Sequence, residues 1–267
     1  MRENIKSLLI TILGLKNLFP AGLTDSGRVR SLLEKLRPLS TDKQLIRLGP
    51  ATDGGYLVPD DLAGVKVCFS PGVGCSSHFE KDCANLGMNV FMADKSVERP
   101  RIEHELFHFT KKFVGVRTND DFMTIDHWVF SSMPEKDTDL MLQIDIEGFE
   151  YEVFLSATDA LMRRFRIIIA EFHQLDQLWN RPFFNFASHA FDKILQTHAC
   201  VHIHPNNNKR SIKKDNIEIP PVMEFTFLRR DRIGHFSYQT SFPHALDSDN
   251  ISCMPSLVLP KCWYRQE

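Results

Sequence analysis

The chain has 267 residues, of which 43% are hydrophobic and 25% are charged, as is usual for a soluble globular domain with extensions. Its formal net charge of −2 provides no overall basic surface for nucleic acid, so we expect no nucleic-acid partner. Its six cysteines include no C-x-x-C pair. This spacing argues against a zinc knuckle or a disulfide framework and favours a reducing, cytoplasmic location.

The N-terminal segment is predicted to be helical, because its apolar residues recur at the spacing of one helix face. These residues are Ile5, Leu8, Leu9, Ile12 and Leu13. The apolar stretch is too short to span a membrane, and no A-x-A-like cleavage site follows it. We therefore expect residues 1–44 to form a helical extension, with residues 5–15 packed on the protein or in peripheral contact with a membrane.

Apolar strands then alternate with helices along the chain. The predicted strands are Val65–Phe69, Asn89–Ala93, Phe113–Val116, Asp139–Ile144, Phe165–Ala170, Cys200–His204 and Glu224–Arg229. The predicted helices include Arg28–Arg37, Ser76–Leu86, Met123–Phe130 and Phe184–Thr197, with another that ends near Arg164. This alternation predicts a doubly wound, mostly parallel α/β sheet, whose last two strands could form an antiparallel edge. We place the main domain at 45–235 and a C-terminal extension packed on it at 236–267.

A short glycine-containing loop follows the first predicted strand. Gly72 and Gly74 form a G-x-G turn of the kind that lets a nucleotide approach the backbone, although the full dinucleotide pattern is not met. Asp94 ends the second strand, where an acid can bind ribose hydroxyls. Asp120 follows the third, where it could meet an adenine amino group. A tight turn, a helix cap and a solvated loop are the structural alternatives.

The later strands end in acids and histidines. Asp145 and Glu147 follow the fourth strand, Glu171 and His173 follow the fifth, and His204 lies on the sixth. Because parallel strands end at the same edge of a sheet, we expect these groups to converge. Asp145 and Glu171 offer the oxygen ligands that Mg²⁺ prefers, and His173 is a candidate general base. Helix capping by the acids and loop anchoring by the histidines are the alternatives.

The segment that follows the fourth strand also resembles a known family. Asp145–Val153 reads D-I-E-G-F-E-Y-E-V and is similar to the D-x-E-G-x-E-x-E-V/L signature of FkbM-type methyltransferases. Gly54–Tyr56, Thr124–Asp126 and Glu171–His173 resemble accompanying features of that family. The resemblance covers about residues 45 to 235, and its most specific part is the Asp-x-Glu-Gly motif.

The resemblance implies a class I methyltransferase fold that uses S-adenosylmethionine, with a seven-stranded sheet whose last strand is antiparallel. It implies that Gly72 and Gly74 surround the methionine part of the donor, that Asp94 holds the ribose, and that Asp145 lies near donor and acceptor. Ser70 stands where these enzymes often have an acid. The acceptor implied is a hydroxyl on a sugar, a glycan or another small molecule.

The leading hypothesis is therefore O-methylation, with Asp145 and His173 as catalytic candidates and His204 as a third. One alternative is an oxidoreductase of the NAD type, which shares the G-x-G turn and the ribose acid. Another is a binding module that keeps the fold without activity, because one fold hosts many functions.

Overall fold

The computed structural model describes residues 7, 10–15, 20–74, 76–133 and 138–265. Its strands are β1 Leu39–Thr41, β2 Leu45–Leu48, β3 Tyr56–Pro59, β4 Val67–Pro71, β5 Asn89–Ala93, β6 Phe107–Thr110, β7 Phe113–Gly115, β8 Phe122–Thr124, β9 Leu140–Ile144, β10 Phe165–Phe172, β11 His198–Pro205, β12 Ile212–Lys214, β13 Ile217–Ile219, β14 Met223–Arg229 and β15 Phe236–Tyr238. Its helices are α1 Ser26–Lys35, α2 His78–Asn85, α3 Ile125–Ser132, α4 Glu150–Ser156, α5 Asp159–Met162 and α6 Arg181–Thr197.

The central sheet has seven strands in the order β11-β14-β10-β9-β4-β5-β6. The five strands from β10 to β6 run parallel, and β14 runs antiparallel between β10 and β11. This arrangement confirms the predicted seven-stranded, mostly parallel fold of the class I methyltransferase type. The chain order reverses between β4 and β9, so the crevice at the carboxyl ends of these two strands is the expected ligand site.

Burial on both faces explains why the central strands read as continuous apolar runs. Every residue of β4, β9 and β10 is buried. One face packs against α1 and α3 to α6, in a core that includes Phe69, Leu142 and Ile168. The other packs against α2 and the β2–β3 hairpin, in a core that includes Met141 and Ile169.

One strand prediction was wrong. The third strand of the central sheet is β6, whereas the predicted segment at 113–116 forms β7, which pairs with β8 in a separate two-stranded sheet. The residues of β6 are half-buried or exposed, so the strand lacks the apolar run that marks a central strand. The antiparallel edge expected of the last two strands is confirmed, because β11 and β14 pair antiparallel and take the two outermost positions on one side of the sheet.

The two ends of the chain are described in part. Residues 10–14 are helical, with Ile12 48% exposed, whereas Ile5, Leu8 and Leu9 lie outside the described residues. Among the residues described, no helix has the length and hydropathy that a membrane span requires. Near the C-terminus Trp263 is buried in the core and donates a hydrogen bond to the Glu218 carbonyl (3.0 Å). The domain boundaries at 44/45 and 235/236 stay predictions.

Candidate active site

The carboxyl ends of β9 and β10 bring an acid pair and a histidine together. The two strands are parallel neighbours with Ile144 paired to Ala170, so the residues that follow them meet at one edge. His173 Nε2 lies 3.9 Å from Asp145 Oδ1 and 3.5 Å from Glu147 Oε2. The convergence expected from the sequence is therefore present for these three residues.

Two of the four non-glycine residues with positive φ in the described part of the chain lie at this cluster. Glu147 and Gln174 both have φ of 58°, in the left-handed region that side chains with a Cβ disfavour by about 1–2 kcal/mol. Glu147 is itself a member of the cluster, in the turn after β9, and Gln174 directly follows His173. Such strain is kept at functional sites when the surrounding packing enforces it.

Glu150 holds the turn and the histidine in place. Its side chain is fully buried, and its Oε1 accepts from the backbone N–H groups of Ile146 (3.0 Å) and Gly148 (3.1 Å). The same oxygen lies 3.2 Å from His173 Nδ1, so the imidazole donates to it. Tyr151 donates to the His173 carbonyl at 2.7 Å. Glu150 was not among the predicted site residues, although it is the third acid of the motif after Asp145 and Glu147.

The pKa values of Asp145 and His173 are both raised above their usual values. Burial raises the pKa of Asp145 to about 7, with repulsion from Glu150 and Glu147 adding to it and His173 acting against it. Burial alone would lower the pKa of His173, but the hydrogen bond to Glu150 and the nearby Asp145 and Glu147 outweigh it and raise that pKa. The two groups titrate as a pair, so either can receive a proton from a bound hydroxyl.

The glycine loop touches the end of β9. Gly72 has φ of +89°, and a Cβ added to it would lie 1.6 Å from the Asp145 carbonyl oxygen. Only glycine permits this approach. Gly74 has φ of +50°, and a Cβ there would meet nothing within 4 Å. The loop therefore packs against the Asp145 backbone at Gly72 and has open space beside it at Gly74.

The two other predicted donor-binding acids differ in position. Asp94 is buried directly after β5, and its Oδ1 accepts from the backbone N–H and the hydroxyl of Ser96, both at 2.7 Å. Asp120 is exposed between β7 and β8. Because β7 lies outside the central sheet, Asp120 does not follow the third strand of that sheet as expected. Its contact with adenine stays a prediction.

The buried carboxyl group of Glu80 lies beside Ser70. The Ser70 hydroxyl lies 2.6 Å from Glu80 Oε1 and 2.6 Å from Gln143 Oε1, and Gln143 Nε2 donates to the Tyr56 hydroxyl (3.2 Å). One hydroxyl proton cannot serve both acceptors. Both contacts are hydrogen bonds when Glu80 is protonated and donates to Ser70. Burial raises the pKa of Glu80 to about 7, which agrees with this arrangement.

This carboxyl gives a pH-dependent stability. Since the folded-state pKa of Glu80 is raised from 4.5 to about 7, the folded protein loses stability as pH rises through this window. Between pH 5 and pH 8 the free energy of unfolding should fall by about 3 kcal/mol because of Glu80. We expect Glu80→Gln, which keeps a donor to Ser70, to abolish this fall. Urea unfolding at both pH values measures it. Glu103→Gln, at a side chain that is 81% exposed, is the control. An equal pH dependence in all three proteins would contradict the assignment.

Glu171 and His204 lie within β10 and β11, whereas Asp145, Glu147 and His173 follow the ends of their strands. Glu171 is buried opposite Glu224 on β14, and its Oε1 accepts from Asn206 (2.8 Å). Burial, with the facing carboxylates, raises the pKa of Glu171 well above its usual range. His204 also faces Glu224 from β11, and its Nδ1 lies 3.6 Å from Asp247 Oδ1. His204 is therefore not a member of the cluster around His173.

The possible metal ligands differ from the predicted pair. Among the residues described, Asp145, Glu147 and His173 are the group whose ligand atoms all lie within 4.8 Å of one another. Glu171 is not in that group, and its raised pKa favours the neutral form, which binds cations poorly. A Mg²⁺ site on Asp145 and Glu171 stays a prediction.

Comparison with known proteins identifies the family. The model of the methyltransferase FkbM domain matches residues 66–203, just over half of the chain, and this range contains the glycine loop and the acid motif. No curated protein sequence matches the chain.

Two solved structures show distant similarity. One is a protein from an antibiotic biosynthesis pathway of Anabaena variabilis that is assigned as a methyltransferase, with 11% identity, a TM-score of 0.31 and coverage of 53% of this chain and 58% of that one. The other is a variant of the 16S rRNA (adenine(1408)-N(1))-methyltransferase of Catenulisporales acidiphilia, with 10% identity, a TM-score of 0.30 and coverage of 69% and 98%. Because the family model matches more than half of the chain, the chain belongs to the FkbM-domain methyltransferases.

Proposed function

We propose that the protein transfers a methyl group from S-adenosylmethionine to a hydroxyl oxygen of a sugar, a glycan or another small molecule. The observation that carries this proposal is the contact between the glycine loop and the acid cluster. Gly72 lies against the Asp145 carbonyl, and Asp145 lies 3.9 Å from His173. A donor held at the loop would thus be adjacent to groups that can accept a proton.

The residues around the loop fit the donor. The space at Gly74 admits a ligand close to the backbone, and Asp94 lies after β5, where class I folds bind ribose. One Asp94 oxygen is engaged by Ser96, and among the described residues the other accepts no hydrogen bond. When bound, S-adenosylmethionine supplies a methyl group on a positively charged sulfur, which needs no further activation.

The work left to the protein is to place the acceptor and to remove its proton. His173 donates through Nδ1 to Glu150, so in the neutral imidazole Nε2 is free to accept the hydroxyl proton as the oxygen takes the methyl group. Asp145 Oδ1 is buried and has no partner among the described residues, so it can accept a hydrogen bond that orients the hydroxyl. His204 remains a weaker candidate because it lies beside Glu224 and Asp247, outside the cluster around His173.

The family membership favours methyl transfer over the NAD-type alternative. The atom to which the methyl group is transferred distinguishes O-methylation from methylation of nitrogen or sulfur. With donor labelled by carbon-13 in the methyl group and a panel of sugars and other hydroxyl compounds, we expect a product whose labelled carbon shows the NMR shift of an O-methyl group. A methyl carbon bonded to nitrogen or sulfur would contradict O-methylation. Donor binding without any labelled product would favour the non-catalytic module.

The cellular context belongs to the same proposal. The cytoplasmic location, the absence of a nucleic-acid partner and the peripheral membrane contact through residues 5–15 stay predictions from composition and sequence pattern. The requirement for Mg²⁺ also stays a prediction, which donor titrations with and without the ion test.

A further inference from the structure

A cavity opens directly beside the acid cluster. It has a volume of about 350 Å³, and His173 and Glu147 form part of its lining. The rest of the lining comes from the residues after β10 and from the segment around β12, namely Gln174, Asp176, Lys209, Arg210, Ile212, Pro221 and Val222. Small-molecule sites have volumes from about 300 Å³ upward, so this cavity suits an acceptor of about the size of one sugar unit.

The charges in this lining are divided between two parts of the fold. The acids Glu147 and Asp176 belong to the turns after β9 and β10. The cations Lys209 and Arg210 belong to the loop after β11, and neither lies within ion-pair distance of a carboxylate in the described part of the chain. By contrast, the nearby Lys214 is paired with Asp215 at 2.5 Å. Two cations at one cavity therefore lack an anion.

Buried hydrogen bonds fix the start of the loop that carries Lys209 and Arg210. Asn206 and Asn207 are 5% and 4% exposed. The Asn206 amide donates to Glu171 at 2.8 Å, and the Asn207 amide both donates to and accepts from the backbone of Ile251, each at 2.9 Å. These buried contacts precede Lys209 by two residues and fix the start of the loop beside the cavity, while the Lys209 and Arg210 side chains are exposed.

We propose that the methyl acceptor carries an anionic group, a phosphate or a carboxylate, which binds to Lys209 and Arg210 while its hydroxyl faces His173. This inference rests on the proposed function and specifies its substrate class. Arginine binds phosphate and carboxylate with paired hydrogen bonds, and lysine adds a point charge. The acids Glu147 and Asp176 of the same lining would repel an anion, so the charge pattern favours the orientation in which the anion lies at Lys209 and Arg210.

Matched pairs of probes test this. Glycerol and glycerol phosphate, and glucose and glucuronate, are titrated by ligand-detected NMR into protein saturated with S-adenosylhomocysteine at low salt. We expect at least one anionic probe to bind about tenfold or more tightly than its neutral partner, since a charge-assisted hydrogen bond contributes that much. The phosphate and carboxylate pairs show which anion is preferred. Raising the salt should reduce the preference in the unmutated protein.

Variants locate the anion site. The double variant Lys209→Met, Arg210→Met should abolish the preference, whereas Lys213→Met, at an exposed cation that does not line the cavity, should retain it. Equal binding within both pairs, no binding of any anionic probe, or a preference that survives the double variant would overturn the inference. Saturation by S-adenosylhomocysteine is measured in the same samples. Its failure would refute the proposed function, whereas normal saturation without anion preference would refute only this inference.

Discussion

Asp145→Asn should lower turnover by a factor of about 10²–10⁴, the usual contribution of a positioned acid or base, while donor affinity changes little. The reason is local. The Asp145 carboxylate has a buried oxygen without a partner among the described residues and lies 3.9 Å from His173, whereas its contact with the glycine loop uses the backbone carbonyl, which asparagine keeps. Methyl transfer to the acceptor and calorimetric titration of the donor measure the two effects separately.

The pH profile adds a readout that a merely structural role would not change. The charge on Asp145 is one of the influences that raise the pKa of His173, so asparagine should lower that pKa. Residual activity, which requires the neutral imidazole, should then rise at a lower pH than in the unmutated protein. Glu152→Gln, at an exposed acid of the same motif, is the control and should leave rate and profile unchanged. Retained turnover in Asp145→Asn would refute its catalytic role.

Gly72→Ala should be more damaging to stability than the same change at Gly74 in the glycine loop. The added Cβ would lie 1.6 Å from the Asp145 carbonyl oxygen, on backbone that already has φ of +89°. Overpacking and the left-handed conformation together should cost about 3–5 kcal/mol. For a domain of this size such a loss should lower Tm by roughly 10 °C. Relief of the clash would move the loop away from Asp145, so donor binding should weaken as well.

Gly74→Ala is the matched control. The conformation there is also left-handed, with φ of +50°, but the added Cβ would meet nothing within 4 Å. We expect a cost of about 1 kcal/mol and a small fall in Tm, measured by the same thermal unfolding. Equal destabilisation by the two substitutions would contradict the close approach of Gly72 to β9.

The sequence predicted the parts of this site that depend on strand order and chain direction. Parallel strands end at one edge, so the positions of Asp145 and His173 along the chain were enough to predict that they would meet, and they do. The bounds of β5 were predicted to the residue because its apolar run is bounded by polar residues. The resemblance of Asp145–Val153 to a family signature then led to the seven-stranded sheet and to the family.

What the sequence did not predict depends on contacts between distant segments. The insertion of β14 between β10 and β11 depends on strand pairing that no local pattern encodes. From the sequence pattern, Glu150 is only an acid that favours a helix N-terminus. Its hydrogen bond to His173 could not be predicted, because it joins the segments after two different strands. Likewise, nothing local indicated that Glu80 would be buried against Ser70, where the family often has an acid.

The most direct test of the proposed activity is a calorimetric titration of the full chain with S-adenosylmethionine, with and without magnesium. We expect micromolar binding that Asp94→Ala weakens by about 10- to 100-fold, since a hydrogen bond to a charged group contributes about 1.5–3 kcal/mol. A change in affinity with magnesium would support a metal on the acids near Asp145. No binding in either condition, or equal binding by Asp94→Ala, would contradict the donor site on which the proposed function depends.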